Sequence, residues 1–288
     1  MYSAFISPFV EHGFMVQALM ITLILSVVTA PFGVFLMLRG MSLTGDAMSH
    51  ALLPGVAIAY AITGYSVWSL ALGAFGAGIA VVALSTMATR LTALREDTSL
   101  ASFYLMSLAL GVLIIAASGG TADLTHILFG NVLAADNALR QLTLMISSIA
   151  LIGILIIYRP LVLDSLDPLY IRAVSWKGGV THMIFMGLVV LVLVAGFQAI
   201  GTLMCVGLLV LPAAAARFWT RALLPMILIS FVLACLSSYL GLLISYQFDL
   251  PPGPAIILVV AILYLISLLF GLVDGVILTR LRRKHFAG

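Results

Sequence analysis

Long apolar runs alternate with short polar, glycine- or proline-rich breaks along the whole of this chain. A helix needs about 20 mostly apolar residues to cross the hydrocarbon core of a bilayer. Runs that approach this length fall at 14–38, 47–63, 66–89, 98–118, 137–158, 181–198, 200–216, 222–246 and 254–279. They predict an all-α polytopic membrane helical bundle of about eight or nine transmembrane helices. The second, sixth and seventh runs are short, so a re-entrant or broken segment is expected and eight or ten spans stay open. No repeat of fixed period, linker or low-complexity tract interrupts residues 1–288, which read as a single transmembrane domain.

Composition narrows the class. Hydrophobic residues make up 64% of the chain and charged residues 8%, where a soluble domain carries about 25% charged residues. Mean hydropathy is +1.27. A water-facing surface cannot be built from this supply. The opening "MYSAFISPFVEHG" lacks the basic region of a cleaved signal peptide. Cys205 and Cys235 both lie in apolar runs and read as packing residues rather than a disulfide.

Charge sets the orientation. With the N-terminus outside, all of the 13 basic residues except Arg140 fall on the cytoplasmic side: Arg39, Arg90, Arg95, Arg159, Arg172, Lys177, Arg217, Arg221, Arg280, Arg282, Arg283 and Lys284. That asymmetry obeys the positive-inside rule and places the C-terminus inside. It also removes nucleic acid as the reason for the basic balance. The longest inner loop, 159–180, is too polar to span. Within it Asp167-Pro168 reads as a helix start, with Asp167 as cap and Pro168 at the first helical position. The short cytoplasmic helix so predicted serves either as a plain connector or as a handle for a partner.

Few ionisable groups enter the spans, where each costs at least about 2.5–3.5 kcal/mol and usually marks a pathway. Asp46 and His50, in "GDAMSHALLPG", are i and i+4 on a helix and share a face. A carboxylate and an imidazole there either bond to each other or grip one cation, and the donor pair suits zinc, manganese or ferrous iron. Two ligands leave such a site incomplete, and a two-fold dimer would supply two more. Small residues surround the pair, and Pro54 and Gly55 loosen its helix. A second broken region runs through "AIGTLMCVGLLVLPAAAAR", 199–217, as close packing or as a pore-lining hairpin. Asp123 and His126 in the outer loop, with Glu11 and His12 near the same face, are either solvated residues or an outer relay for a cation. Asp274 is expected to pair with Arg280 or cap a neighbouring helix, with a part in transport as the alternative, and His182 to sit at the inner interface.

The stretch "LRGMSLTGDAMSHALLPGVAIAY" (38–60) resembles the signature of the zinc/manganese/iron permease family of ATP-binding-cassette (ABC) importers. "ILFGNVLA" (127–134), "LDPLYIRAVSW" (166–176), "GTLMCVGLLVLPAAAAR" (201–217) and "DLPPGPAIILV" (249–259) resemble further blocks of that family in the same order, over essentially the whole chain. The coupling segment departs from the family pattern, with Ile171 and Ser175 where an alanine and a glycine are usual.

The resemblance implies a type II ABC importer permease-like fold in a bacterial cytoplasmic (inner) membrane. It implies a homodimer with its pore on the two-fold axis and a metal gate at Asp46 and His50. It also implies a cytoplasmic ATP-binding subunit docked on the segment holding Asp167, Pro168, Arg172 and Ser175, and an extracytoplasmic metal-binding protein outside. No cofactor is held permanently; Zn2+ or Mn2+ is cargo.

Independently, no G-x-x-x-x-G-K-[ST] loop occurs, so ATP hydrolysis would lie in another chain and this one is not expected to be an enzyme. The competing reading is a stand-alone secondary transporter or channel for divalent metal, but such coupling usually needs more intramembrane ionisable groups. An intramembrane enzyme fits less well, since HExxH is absent and Ser49 and His50 are adjacent and point apart. Among metals the reading leans to zinc, because His12 and His126 are expected to join His50 at the outer face and imidazole-rich sites suit zinc.

Overall fold

A computed structural model describes residues 7–92, 94–117, 136–166, 177–273 and 275–277. The helices are α1 (Ser7–Glu11), α2 (Gly13–Leu38), α3 (Ser42–Ala51), α4 (Leu53–Thr63), α5 (Val67–Leu91) and α6 (Glu96–Ala117). They continue with α7 (Asn137–Ile156), α8 (Tyr158–Leu166), α9 (Lys177–Ile200), α10 (Thr202–Arg217), α11 (Leu223–Phe248) and α12 (Pro252–Phe270). Seven of these are long and apolar enough to cross a membrane, and α10 is a shorter apolar helix. With the α3–α4 pair they account in order for every apolar run of the sequence.

The centre of the bundle is α2, α9 and α10. Phe32 and Phe35 of α2 pack on Phe185 of α9, with ring centroids 5.8 and 6.3 Å apart. Around that centre α11 and α12 lie on α2 and α10, while α4, α5 and α6 form a group reaching α9 through α5. Several buried hydroxyls in these apolar helices bond to a carbonyl of their own helix. Ser26 and Thr29 donate to the carbonyls of Thr22 and Leu25, each at 2.8 Å, as hydroxyls in membrane helices do when no water is available.

Two glycines decide where the chain turns and how closely it packs. Gly40 has φ +70°, which a side chain would resist. It ends α2 in a Schellman turn: Gly40 N–H donates to Met37 O at 3.0 Å and Met41 N–H to Leu36 O at 2.8 Å. This turn delivers the chain directly into α3. Further on, a Cβ on Gly55 of α4 would overlap the carbonyl oxygen of Gly73 on α5, and the reverse also holds. The two backbones touch, as small residues allow in a membrane.

The second apolar run is a broken span. Helix α3 starts at Ser42 and stops at Ala51, and α4 resumes after Leu52 with Pro54 in its first turn. Pro54 brings no N–H for the carbonyl four residues back, and Ser107 of α6 donates to the nearby Ala51 carbonyl at 3.0 Å.

Two expectations need correction. The inner segment 159–180 does not begin as a loop, because 158–166 forms α8. Pro160 falls in the first turn of that helix, where its missing N–H is not required, and Leu161 and Asp164 turn inward. The last span does not run to 279. Helix α12 ends at Phe270, where Gly271 leaves helical geometry and Val273 N–H bonds to Phe218 O at 2.9 Å.

Candidate metal pathway

Asp46 and His50, the pair singled out by helical spacing, sit on α3. One face of that helix, formed by Thr44, Gly45, Met48, Ser49 and Ala51, is buried against α6, α9 and α10. The opposite face carries Leu43, Asp46, Ala47 and His50 at helical spacing; Leu43 and Asp46 are exposed, and Ala47 and His50 are half-buried. Leu43 is 84% exposed, and the side chains of Asp46 and His50 are 56% and 27% exposed. Ser49 Oγ donates to the Asp46 carbonyl at 2.8 Å, within the turn between Asp46 and His50.

His50 Nε2 stands 3.8 Å from Asp46 Oδ1. That is too long for a hydrogen bond, so the pair does not merely satisfy itself. Two donors bound at 2.0–2.2 Å to a tetrahedral ion lie ~3.4 Å apart, so one cation can bridge this gap with small side-chain shifts. Among the described residues no group of three or more His, Cys, Asp or Glu converges on a metal position, and Asp46 and His50 offer two candidate donors here.

Other expected site residues fall differently. Asp123, His126, Asp167, Pro168, Arg172, Ser175 and Asp274 lie outside the described residues. His12 is seated against Phe14 and Tyr246, with ring centroids 5.4 and 5.3 Å apart. It starts α2, whereas α3 begins at the other end of that 26-residue helix, a length of roughly 39 Å. The grouping of His12 with His50 behind the zinc reading is therefore not formed. Cys205 is buried and Cys235 half-buried, and both are free thiols.

The sequence reading missed a polar cluster at the Arg39 end of the bundle. Arg39, at the C-cap of α2, forms an ion pair with Asp164 of α8, and both are nearly buried. The same guanidinium nitrogen lies 3.0 Å from His182 Nδ1 on α9, and the guanidinium stacks 5.3 Å over the Phe185 ring. His182 Nε2 lies 2.6 Å from Glu96 Oε1 at the start of α6. Arginine has no acceptor, so Nδ1 accepts from it and Nε2 carries the hydrogen given to Glu96. His182 is thus a bridge between two elements rather than a plain interfacial residue. The available signal was the position of Arg39 and His182, each where an apolar run meets a break. Their partner Asp164 became visible only once 158–166 was helical.

Residues 11–271 match the ABC 3 transport family. The chain belongs to this family. It is 36% identical over 267 residues to the manganese import system permease protein ScaB of Streptococcus gordonii, covering 93% of this chain and 95% of that one. It is 33% identical over 276 residues to the manganese transport system membrane protein MntC of Listeria innocua, covering 96% and 97%. The solved structure of PsaBC from Streptococcus pneumoniae in complex with Fab superposes with a TM-score of 0.83 at 33% identity, covering 95% of this chain and 98% of that one. The resemblance read from the sequence motifs is thereby established: this is a multi-pass, membrane-spanning permease of the ABC metal importers.

Proposed function

We propose that this permease carries manganese into the cytoplasm, with Asp46 and His50 as ligands of the gate. The observation that carries the reading is the partly exposed Asp46–His50 pair, 3.8 Å apart on one face of a broken span. A second copy facing it across a two-fold axis would bring the donors to four and close the site. The names of the relatives support manganese over the zinc reading, and aspartate plus histidine accepts either metal.

On this reading the Arg39 end is cytoplasmic and the N-terminus lies outside, as the distribution of arginine and lysine implies. Residues 1–288 act as one permease domain. ATP hydrolysis takes place on a separate subunit that docks on the segment with Asp167, Pro168, Arg172 and Ser175. A metal-binding protein delivers cargo from outside, with Asp123 and His126 at the access point. Membership of an ABC family argues against a stand-alone secondary transporter.

The test is growth of a strain lacking this gene under chelation, rescued by one metal at a time. Rescue by manganese through the wild-type protein, lost in Asp46→Ala and His50→Ala variants that still reach the membrane, is the expected result. Rescue by zinc alone would overturn the choice of metal, and normal uptake by both variants would overturn the gate.

A further inference from the structure

The gate helix α3 has no long connection of its own to the inner surface. It is joined to α2 by Gly40 and Met41 alone, in a turn closed by two hydrogen bonds. The residue on the α2 side of that turn is Arg39, and Arg39 is fastened to Asp164. Asp164 stands two residues before the end of α8, whose chain continues directly into the segment read as the ATPase contact. A covalent and ionic path therefore runs from that segment through Asp164 and Arg39 into the start of α3, with Asp46 only seven residues beyond Arg39.

A buried ion pair is poorly explained by stability. Desolvation consumes most of the attraction, and apolar residues of similar volume often serve the fold equally well. What such a pair adds is a fixed register between two elements. Here the register is specified further by the Phe185 ring under the guanidinium and by His182, which ties the same nitrogen to α9 and onward to Glu96 on α6. Both α9 and α6 pack against α3. The four charged or polar side chains thus join the inner ends of α2, α6, α8 and α9 around the base of the gate helix.

We propose that the Arg39–Asp164 pair is the link that transmits movement of α8 to the metal gate on α3. Arg39 and Asp164 are positioning residues: neither touches metal, and each acts through the helix it holds. The inference rests on the functional reading above and deepens it.

The test uses the full complex of permease, ATPase and metal-binding partner in proteoliposomes, with manganese as probe, measuring uptake and ATP hydrolysis together. The double variant Arg39→Met/Asp164→Leu removes both charges and leaves neither one orphaned in the interior. It is expected to assemble and hydrolyse ATP, while manganese moved per ATP falls about tenfold, within the range for residues of a coupling network. A purely structural pair would leave that ratio at the wild-type value in the double variant, and this result would overturn the inference. If the double variant fails to assemble, Arg39→Lys carries the same measurement. Lysine keeps the charge but not the planar group shared with His182 and Phe185, so a lowered ratio supports the link and an unchanged ratio overturns it. A wild-type complex that moves no manganese would instead overturn the functional reading and this inference with it. Wild-type transport with an unchanged ratio in the variants overturns the link alone.

Discussion

Gly55 of α4 and Gly73 of α5 meet backbone to backbone, each occupying the space in which a Cβ on the other would stand. The contact fixes the second half of the broken span against its neighbour, while α3, before the break, leaves Leu43 and Asp46 exposed. Gly55→Ala or Gly73→Ala must push two backbones apart, and overpacking of this kind costs about 1–3 kcal/mol. The melting temperature of the purified protein in detergent should fall in either variant.

Gly40 offers a contrast, since nothing lies within 4 Å of a Cβ built there and only its φ of +70° opposes a side chain. Gly40→Ala should cost about 1 kcal/mol through backbone strain alone. Thermal unfolding of Gly40→Ala beside Gly55→Ala checks the order: Gly55→Ala should be the less stable of the two.

Loss of either proposed gate ligand should act on transport more than on folding, because the side chains of Asp46 and His50 are 56% and 27% exposed. Asp46→Ala and His50→Ala should each reduce manganese uptake at least ~10-fold, as expected when a metal site loses a ligand. Membrane levels and melting temperature should stay near wild type. A large loss of stability in both variants would argue for a packing role.

The core offers a control that behaves the opposite way. Phe185 is fully buried between Phe32 and Phe35, and Phe185→Ala should cost about 3–5 kcal/mol. Thermal unfolding should register this loss whether or not metal is present.

Orientation is checked by labelling. A cysteine at Ser175, in the proposed ATPase contact, should be protected from an impermeant thiol reagent in intact cells and react once the membrane is opened. It should also cross-link to the ATPase chain. The native thiols give little background, since Cys205 is buried and Cys235 half-buried. Labelling from outside would invert the topology.

The sequence by itself determined the class, the spans and the position of the Asp46–His50 pair. Hydrocarbon admits only helices and closed barrels, whose backbone groups all bond internally, so an apolar run long enough for a helix to span is nearly a complete statement of its structure. Helical spacing likewise placed Asp46 and His50 on one face before any packing was known. Tertiary structure alone decided which face that was. Gly45 and Met48 turn into the bundle because α6, α9 and α10 are there to receive them, and Asp46 is left exposed and His50 half-buried as a consequence. It also decided the Arg39–Asp164–His182–Glu96 cluster, whose members come from four helices far apart in the chain. Ion pairs between distant segments leave no periodic mark in a sequence, and α8 was too short and too polar to show itself as an apolar run. The early end of α12 has the same origin, since Gly271 leaves the helix where Val273 can reach the Phe218 carbonyl, a partner that only packing brings near.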